Sequence, residues 1–196
     1  MASGASEVSI CNLALSHLGE ASITALSDNT KPARECNRLY AITRDMELRS
    51  HNWNFAMKRT MLASDPTDPS WGYDKRYTLP VDLMRVVEVD FDEDWRVEAG
   101  ELADEGARFL LTNLSGPIYI RYVARVTDPS VFDTLFINAL AARLAVDLAV
   151  PLTQNSTIRQ GAERTHLRAT QQAKAFDAIE SSPRKFPEPL WLSRRN

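Results

Sequence analysis

From Val131 to Val150 the chain is apolar almost all the way round, interrupted by Asp133, Asn138, Arg143 and Asp147. A helix with no polar face must be surrounded by other elements. The four interruptions argue against a membrane span and for the central helix of a bundle. Asp128-Pro129 offers an N-cap followed by proline at the first helical position, so this helix is predicted over Pro129 to about Val150. Pro151 is predicted to end it.

Three further segments can surround it. Ser6 to Leu18 carries Val8, Cys11, Leu15 and Leu18 on one face, with Ser6 as cap and Gly19 as stop. Lys31 to Ser50 follows a capping Thr30, has Pro32 in its first turn, and presents Cys36, Leu39, Thr43 and Met46 as its buried stripe. Asn155 to Glu180 carries a narrow stripe of Ile158, Ala162, Thr165, Ala169, Ala173, Phe176 and Ile179, whose small members allow close helix approach. With 44% hydrophobic residues in 196, a sizeable core is available.

Between the second and third helices the period changes. Phe55 to Leu62 reads as extended. Met84 to Phe91 and Trp95 to Glu98, joined by Asp92-Glu93-Asp94, read as a hairpin. Arg108 to Thr112 is a short strand. Ile118 to Arg125, opened by Gly116-Pro117, is the clearest strand. Ile118, Ile120, Tyr122 and Ala124 share one face, Arg121 and Arg125 the other. The fold class predicted is therefore α+β: mainly a bundle of about four helices with an inserted small antiparallel β domain. Residues 1–62 and 127–180 form the bundle, 63–126 the insert and 181–196 an extended C-terminal tail.

The chemistry-bearing residues do not converge in sequence. His17, His51 and His166 lie in separate segments, without a metal-binding spacing. Cys11 and Cys36 sit inside helical patterns and read as small buried apolar groups. No phosphate-cradling glycine loop or nucleophile elbow occurs. The acidic turn Asp90, Asp92, Glu93, Asp94 lacks the glycine and terminal glutamate of a calcium loop and reads as a solvated turn. No cofactor, no metal and no catalytic residue is expected. A net charge of -3 gives no footprint for wrapping DNA or docking on an anionic membrane, and the first residues, MASGASEVSI, do not read as a secretory signal.

Three groups remain as candidate contact residues. The segment His51 to Arg59 reads chiefly as an aromatic plug, Trp53 and Phe55 sealing the end of the second helix, and secondarily as a base-stacking patch. Arg121 and Arg125 are candidates for a subunit or DNA contact, or for pairing with acids across the sheet. The tail joins Phe186, Leu190 and Trp191 to Arg184, Lys185, Arg194 and Arg195. Pro183, Pro187 and Pro189 forbid a regular helix there, and a free solvated tail rarely carries such large apolar groups.

The order and spacing of several pieces are similar to one family. They are Ile10-Cys11-Asn12-Leu13-Ala14-Leu15 with Leu18-Gly19-Glu20, the helix carrying Ala33, Cys36 and Tyr40, and the His51–Arg59 segment. Tyr77-Thr78-Leu79-Pro80-Val81-Asp82 with Arg85 follows, then Ile120-Arg121-Tyr122-Val123 and Phe136 with Ala139 to Ala145. Together they resemble the tail tubular protein A family, the head–tail adaptors of short-tailed phages and their relatives in other tailed phages. The resemblance implies a non-enzymatic virion protein at the head–tail junction. It implies a dodecameric ring between the portal protein and a tail nozzle or other downstream neck protein. Genomic DNA would pass through the centre without sequence-specific contact, and no membrane would be involved. It also implies that the C-terminal tail engages the portal, with Phe186, Leu190 and Trp191 as apolar anchors and the basic residues as charged partners. A chain largely monomeric alone and ring-forming on the portal is expected. The alternatives are another neck or tail-completion protein and a host nucleic-acid-binding protein.

Overall fold

A computed structural model describes residues 4–100 and 106–180. Among them the helices are α1 (Glu7–Leu18), α2 (Lys31–Arg49), α3 (Thr134–Thr153) and α4 (Ser156–Ile179). The strands are β1 (Met57–Leu62), β2 (Lys75–Thr78), β3 (Leu83–Val89), β4 (Trp95–Ala99), β5 (Arg108–Thr112) and β6 (Ile118–Ala124). The fold is α+β, as the two hydrophobic periods predict.

Local signals place the helix ends. Ser6 and Ser9 form a reciprocal capping box on α1, and Gly19 stops it at φ 73°. Thr30 accepts from the Ala33 N–H at the start of α2, and Asn155 accepts from the Thr157 N–H at the start of α4. The start of α3 differs from expectation. Asp128 and Pro129 open only one 3-10 turn, Pro129–Val131. Phe132 then turns extended, which sends its ring inward, and Asp133 becomes the cap, accepting from the N–H groups of Leu135 and Phe136. Nor does Pro151 end the helix. It lies inside the last turn, which is closed around it by the Gln154 N–H to the Val150 carbonyl and by the Thr153 hydroxyl to the Ala149 carbonyl.

α3 is the axis of the bundle and packs on α1, α2 and α4. By length and composition it is apolar enough to cross a membrane, but here Phe136, Leu140, Leu144 and Leu148 are fully buried among the other helices. Its mid-helix charges are matched within the bundle: Arg143 lies 3.5 Å from Asp147, and Asp147 accepts from the Thr43 hydroxyl at 3.0 Å. The buried stripe of α2 is Ala33, Cys36, Tyr40, Thr43, Glu47 and Leu48, with Arg44 beside it. Met46, predicted inside, is half exposed, and Leu39 is only partly buried. In α4 only Ala162, Ala169 and Ala173 are buried, while Phe176 and Ile179 are exposed.

The strands form two three-stranded antiparallel sheets, ordered β1-β6-β3 and β2-β5-β4. The expected hairpin does not form. β3 pairs with β6 and β4 with β5, so the acidic turn crosses from one sheet to the other. β1, placed with the bundle on sequence, is an edge of the first sheet, with Arg59 opposite Arg121. The sheets pack face to face over Leu62, Tyr77, Leu79, Leu83, Leu110, Ile118, Ile120, Tyr122 and Ala124. The opposite face of the first sheet docks on the bundle through Met84 and Val123.

Gln154 stops α3 in the left-handed region, at φ 52°, a conformation that strains a residue with a Cβ. Gln154→Gly is therefore expected to stabilise the fold by about 1 kcal/mol. Urea unfolding of the two proteins side by side measures this, and a lower midpoint for the glycine variant would contradict it.

Candidate functional site

Two sequence candidates fall in the bundle. Trp53 is 1% exposed; its indole N–H donates to the Glu47 carbonyl at 2.9 Å, and its ring meets Phe136 edge-on at 5.1 Å. Phe55 contacts Phe136 at 4.9 Å and Phe132 at 5.6 Å. The four rings fill the bend where α2 gives way to β1, which leaves Trp53 no face for stacking a base. The bend is closed from outside by Asp177 of α4. Its carboxylate accepts from the Asn54 N–H at 2.8 Å and lies 3.0 Å from His51 Nε2.

The cysteines pack against each other between α1 and α2, both free and fully buried. Contact with Cys36 and burial push the Cys11 thiol well above its ordinary range, so it stays protonated. Among the described residues no group of three or more His, Cys, Asp or Glu is arranged to hold a metal.

Arg121 and Arg125 point from the same side of β6 and just beyond it, but Val123 lies between them, buried against the bundle. They therefore belong to separate surfaces. Arg121 faces Glu88 across the sheet, its Nε 3.4 Å from the carboxylate; the contact is ionic, without the alignment of a hydrogen bond. With Arg59, Met61, Asp90 and Tyr119 it lines a shallow depression of about 500 Å³ on the outer face of the sheet. Arg125 lies instead beside α2, 2.9 Å from Asp45.

Around Arg125 the structure assembles a groove of about 460 Å³ that no single sequence segment announces. Its walls are Ile42, Asp45, Met46 and Arg49 of α2, Leu83 and Met84 of β3, Arg108 of β5, and Arg125. The register of β3 against β6 shifts between Leu83 and Arg85, and arginines fill the carbonyl positions this irregularity opens. Arg108 donates to the Leu83 carbonyl and Arg49 to the Met84 carbonyl. Arg85, from the same strand, donates to the Arg49 carbonyl at 3.1 Å. The groove thus holds three guanidinium groups against one carboxylate, and that carboxylate also serves Arg44 at 2.8 Å. Burial, then the charges of Arg49 and Arg125, hold the Arg108 guanidinium below its usual pKa. Ile42 and Met46, 61% and 50% exposed, add an apolar floor beside the charge. Such a surface suits an acidic segment with an apolar neighbour.

The Tyr77–Arg85 segment braces this groove. The Tyr77 hydroxyl reaches the carbonyls of Leu114 and Gly116, each at 2.8 Å. Asp82 accepts from Lys58 at 2.7 Å and from the Tyr122 hydroxyl at 3.1 Å, and its carbonyl accepts from the Arg125 N–H. The tail residues Arg184, Lys185, Phe186, Leu190, Trp191, Arg194 and Arg195 lie outside the described residues. Arg49 and Arg108 escaped sequence reasoning; Arg85 entered it only as the end of a motif. No family model matches the sequence, and no curated protein matches it.

Asp82 gives the brace a pH signature. Burial works against its charge, and the bonds from Lys58 and Tyr122 more than offset this, so its carboxyl titrates below the ordinary carboxylate range. A group depressed in the folded state stabilises fully above its unfolded pKa, about 3.9, and loses that contribution as pH falls further. Asp82→Asn is expected to be less stable than the parent at pH 7, with the gap narrowing as pH drops below about 4. Thermal unfolding midpoints of both proteins from pH 7 to pH 3 test this; a gap constant across the range contradicts it.

Proposed function

We propose that this chain is a structural head–tail adaptor of a tailed bacteriophage or phage-like particle. Copies form a ring under the portal protein, a nozzle or other neck protein attaches below, and DNA passes through the centre. The observation that carries this reading is where the family-like residues fall. Cys11, Ala14, Ala33, Cys36, Tyr40, Trp53, Val123, Phe136 and Leu140 are spread over most of the sequence, yet all belong to one contiguous core. The same pieces supply Tyr77, Leu79, Ile120 and Tyr122 to the second core, between the sheets. The braced junction is a second support. An adaptor holds neighbours at fixed angles under load, and the ties from Arg85 and Arg125 join the sheets to α2.

In this reading the chain does its work by contact and not by chemistry. The tail segment of Phe186, Leu190 and Trp191, with Arg184, Lys185, Arg194 and Arg195, would reach the portal. Arg121 and Arg125, each with an acid of its own chain alongside, would tune subunit contacts; the DNA role is the weaker assignment for both.

The test is to co-produce the tagged full chain with the portal protein encoded in the same genome. A ring-shaped complex under the portal is expected by cryo-electron microscopy, and removal of residues 183–196 is expected to abolish it while leaving the circular dichroism spectrum and unfolding midpoint unchanged. Absence of the polypeptide from the neck of purified particles would sink the adaptor reading. Binding unaffected by the deletion would sink the role of the tail. Tight, steeply salt-dependent binding of the free chain to duplex DNA would favour the nucleic-acid-binding alternative.

A further inference from the structure

The arginine groove has a chemical complement elsewhere on the same chain. The turn after β3 carries four carboxylates in five residues, Asp90, Asp92, Glu93 and Asp94 around Phe91, and all four are exposed. Trp95, which follows, is 39% exposed and offers an apolar partner for the floor made by Ile42 and Met46. Groove and turn lie at opposite ends of β3, since Leu83 and Met84 line the groove and Val89 leads into the turn. Seven extended residues separate them by roughly 20 Å, so the turn cannot fold back into its own groove.

We propose that the acidic turn of one copy docks in the arginine groove of a second copy, making a head-to-tail contact between neighbouring chains. The contact joins two different surfaces; where it is not made twice across a two-fold axis, it runs from copy to copy and closes into a ring when the rotation allows. Guanidinium groups suit this task, because carboxylates can bridge them with paired hydrogen bonds. The contact is salt-sensitive, since the turn carboxylates and much of the groove are open to water. The ring geometry rests on the adaptor reading; the contact itself does not.

A charge swap tests it. One variant carries Asp92→Arg, Glu93→Arg and Asp94→Arg, in an exposed turn, which leaves Asp90 as its one carboxylate. The other carries Ile42→Glu and Arg125→Glu, which leaves the carbonyl-binding Arg49 and Arg108 in place. Ile42→Glu alone, on an exposed helix position, is the control should the double variant fold poorly. Sedimentation velocity of the full chain at high concentration and low salt is expected to show weak self-association that falls away as salt rises, leaving the isolated chain largely monomeric at physiological salt. Each variant alone is expected to associate at least about tenfold more weakly, and an equimolar mixture of the two to recover it, because the native turn of one then meets the native groove of the other and the reversed turn meets the reversed groove. A parent that stays monomeric at low salt overturns the proposal, as does association indifferent to both variants or a mixture no better than its components. Binding of a short DNA duplex that is lost in the groove variant but kept in the turn variant, without self-association, assigns the groove to phosphate instead and also overturns it. Portal capture without the charge-swap effect removes this contact and leaves the adaptor reading standing. The charge-swap effect without portal capture does the reverse.

Discussion

Two hydrophobic cores share one strand. β6 turns Ile118, Ile120, Tyr122 and Ala124 into the space between the sheets, and turns Val123 into the helical bundle. Because successive strand residues face opposite ways, a slip of one residue would exchange the two sets and put tyrosine where the bundle needs valine. β3 repeats the arrangement, with Leu83 in one core and Met84 in the other. The pairing of these two strands therefore fixes how the helices sit on the sheets. Everything at the junction depends on that register, including the carbonyls of Leu83 and Met84 that Arg108 and Arg49 occupy.

The same junction explains why polar residues are placed there at all. A register shift in a strand pressed between two layers leaves backbone groups unpaired, and an unpaired buried carbonyl is costly. A guanidinium satisfies such a carbonyl while keeping part of its charge in water. Burial first, and then the charge of Arg49 beside it, hold the Arg85 guanidinium below its usual range as well. The positive groove is thus a by-product of repairing the bulged strand, available for recognition because Asp45 offsets only part of its charge.

What was legible in the sequence follows from the range of the forces involved. Helix caps act within three or four residues, so Ser6 and Thr30 marked two starts, while the cap role of Asn155, where the last helix was predicted to begin, emerged only in the structure. The start of α3 misled because two cap signals lie five residues apart, and the demand for Phe132 in the aromatic cluster decided between them. The Met84–Phe91 and Trp95–Glu98 segments looked like a hairpin because proximity in sequence favours local pairing. β3 is instead held by its two buried faces against β6, whereas β4, exposed along its whole length, takes its order only from β5. Trp53 and Phe55 were readable as a plug because large aromatics at a helix end have few other uses. The groove was not readable, since its walls come from four separate segments and none has a pattern of its own.

Composition described the charge of this chain by a single number, -3, and that number hides a separation. Guanidinium groups gather where β3 begins, and carboxylates gather beyond its end. A nearly neutral molecule can thus present one basic and one acidic patch, and such patches constrain how copies meet. A two-fold dimer that matched groove to groove or turn to turn would set like charges against each other. Groove-to-turn contact opposes unlike ends, whether it runs on from copy to copy or is made twice across a two-fold axis. The polarity of one strand, fixed by which of its residues face which core, thus decides which surfaces of two copies could attract before any other surface is considered.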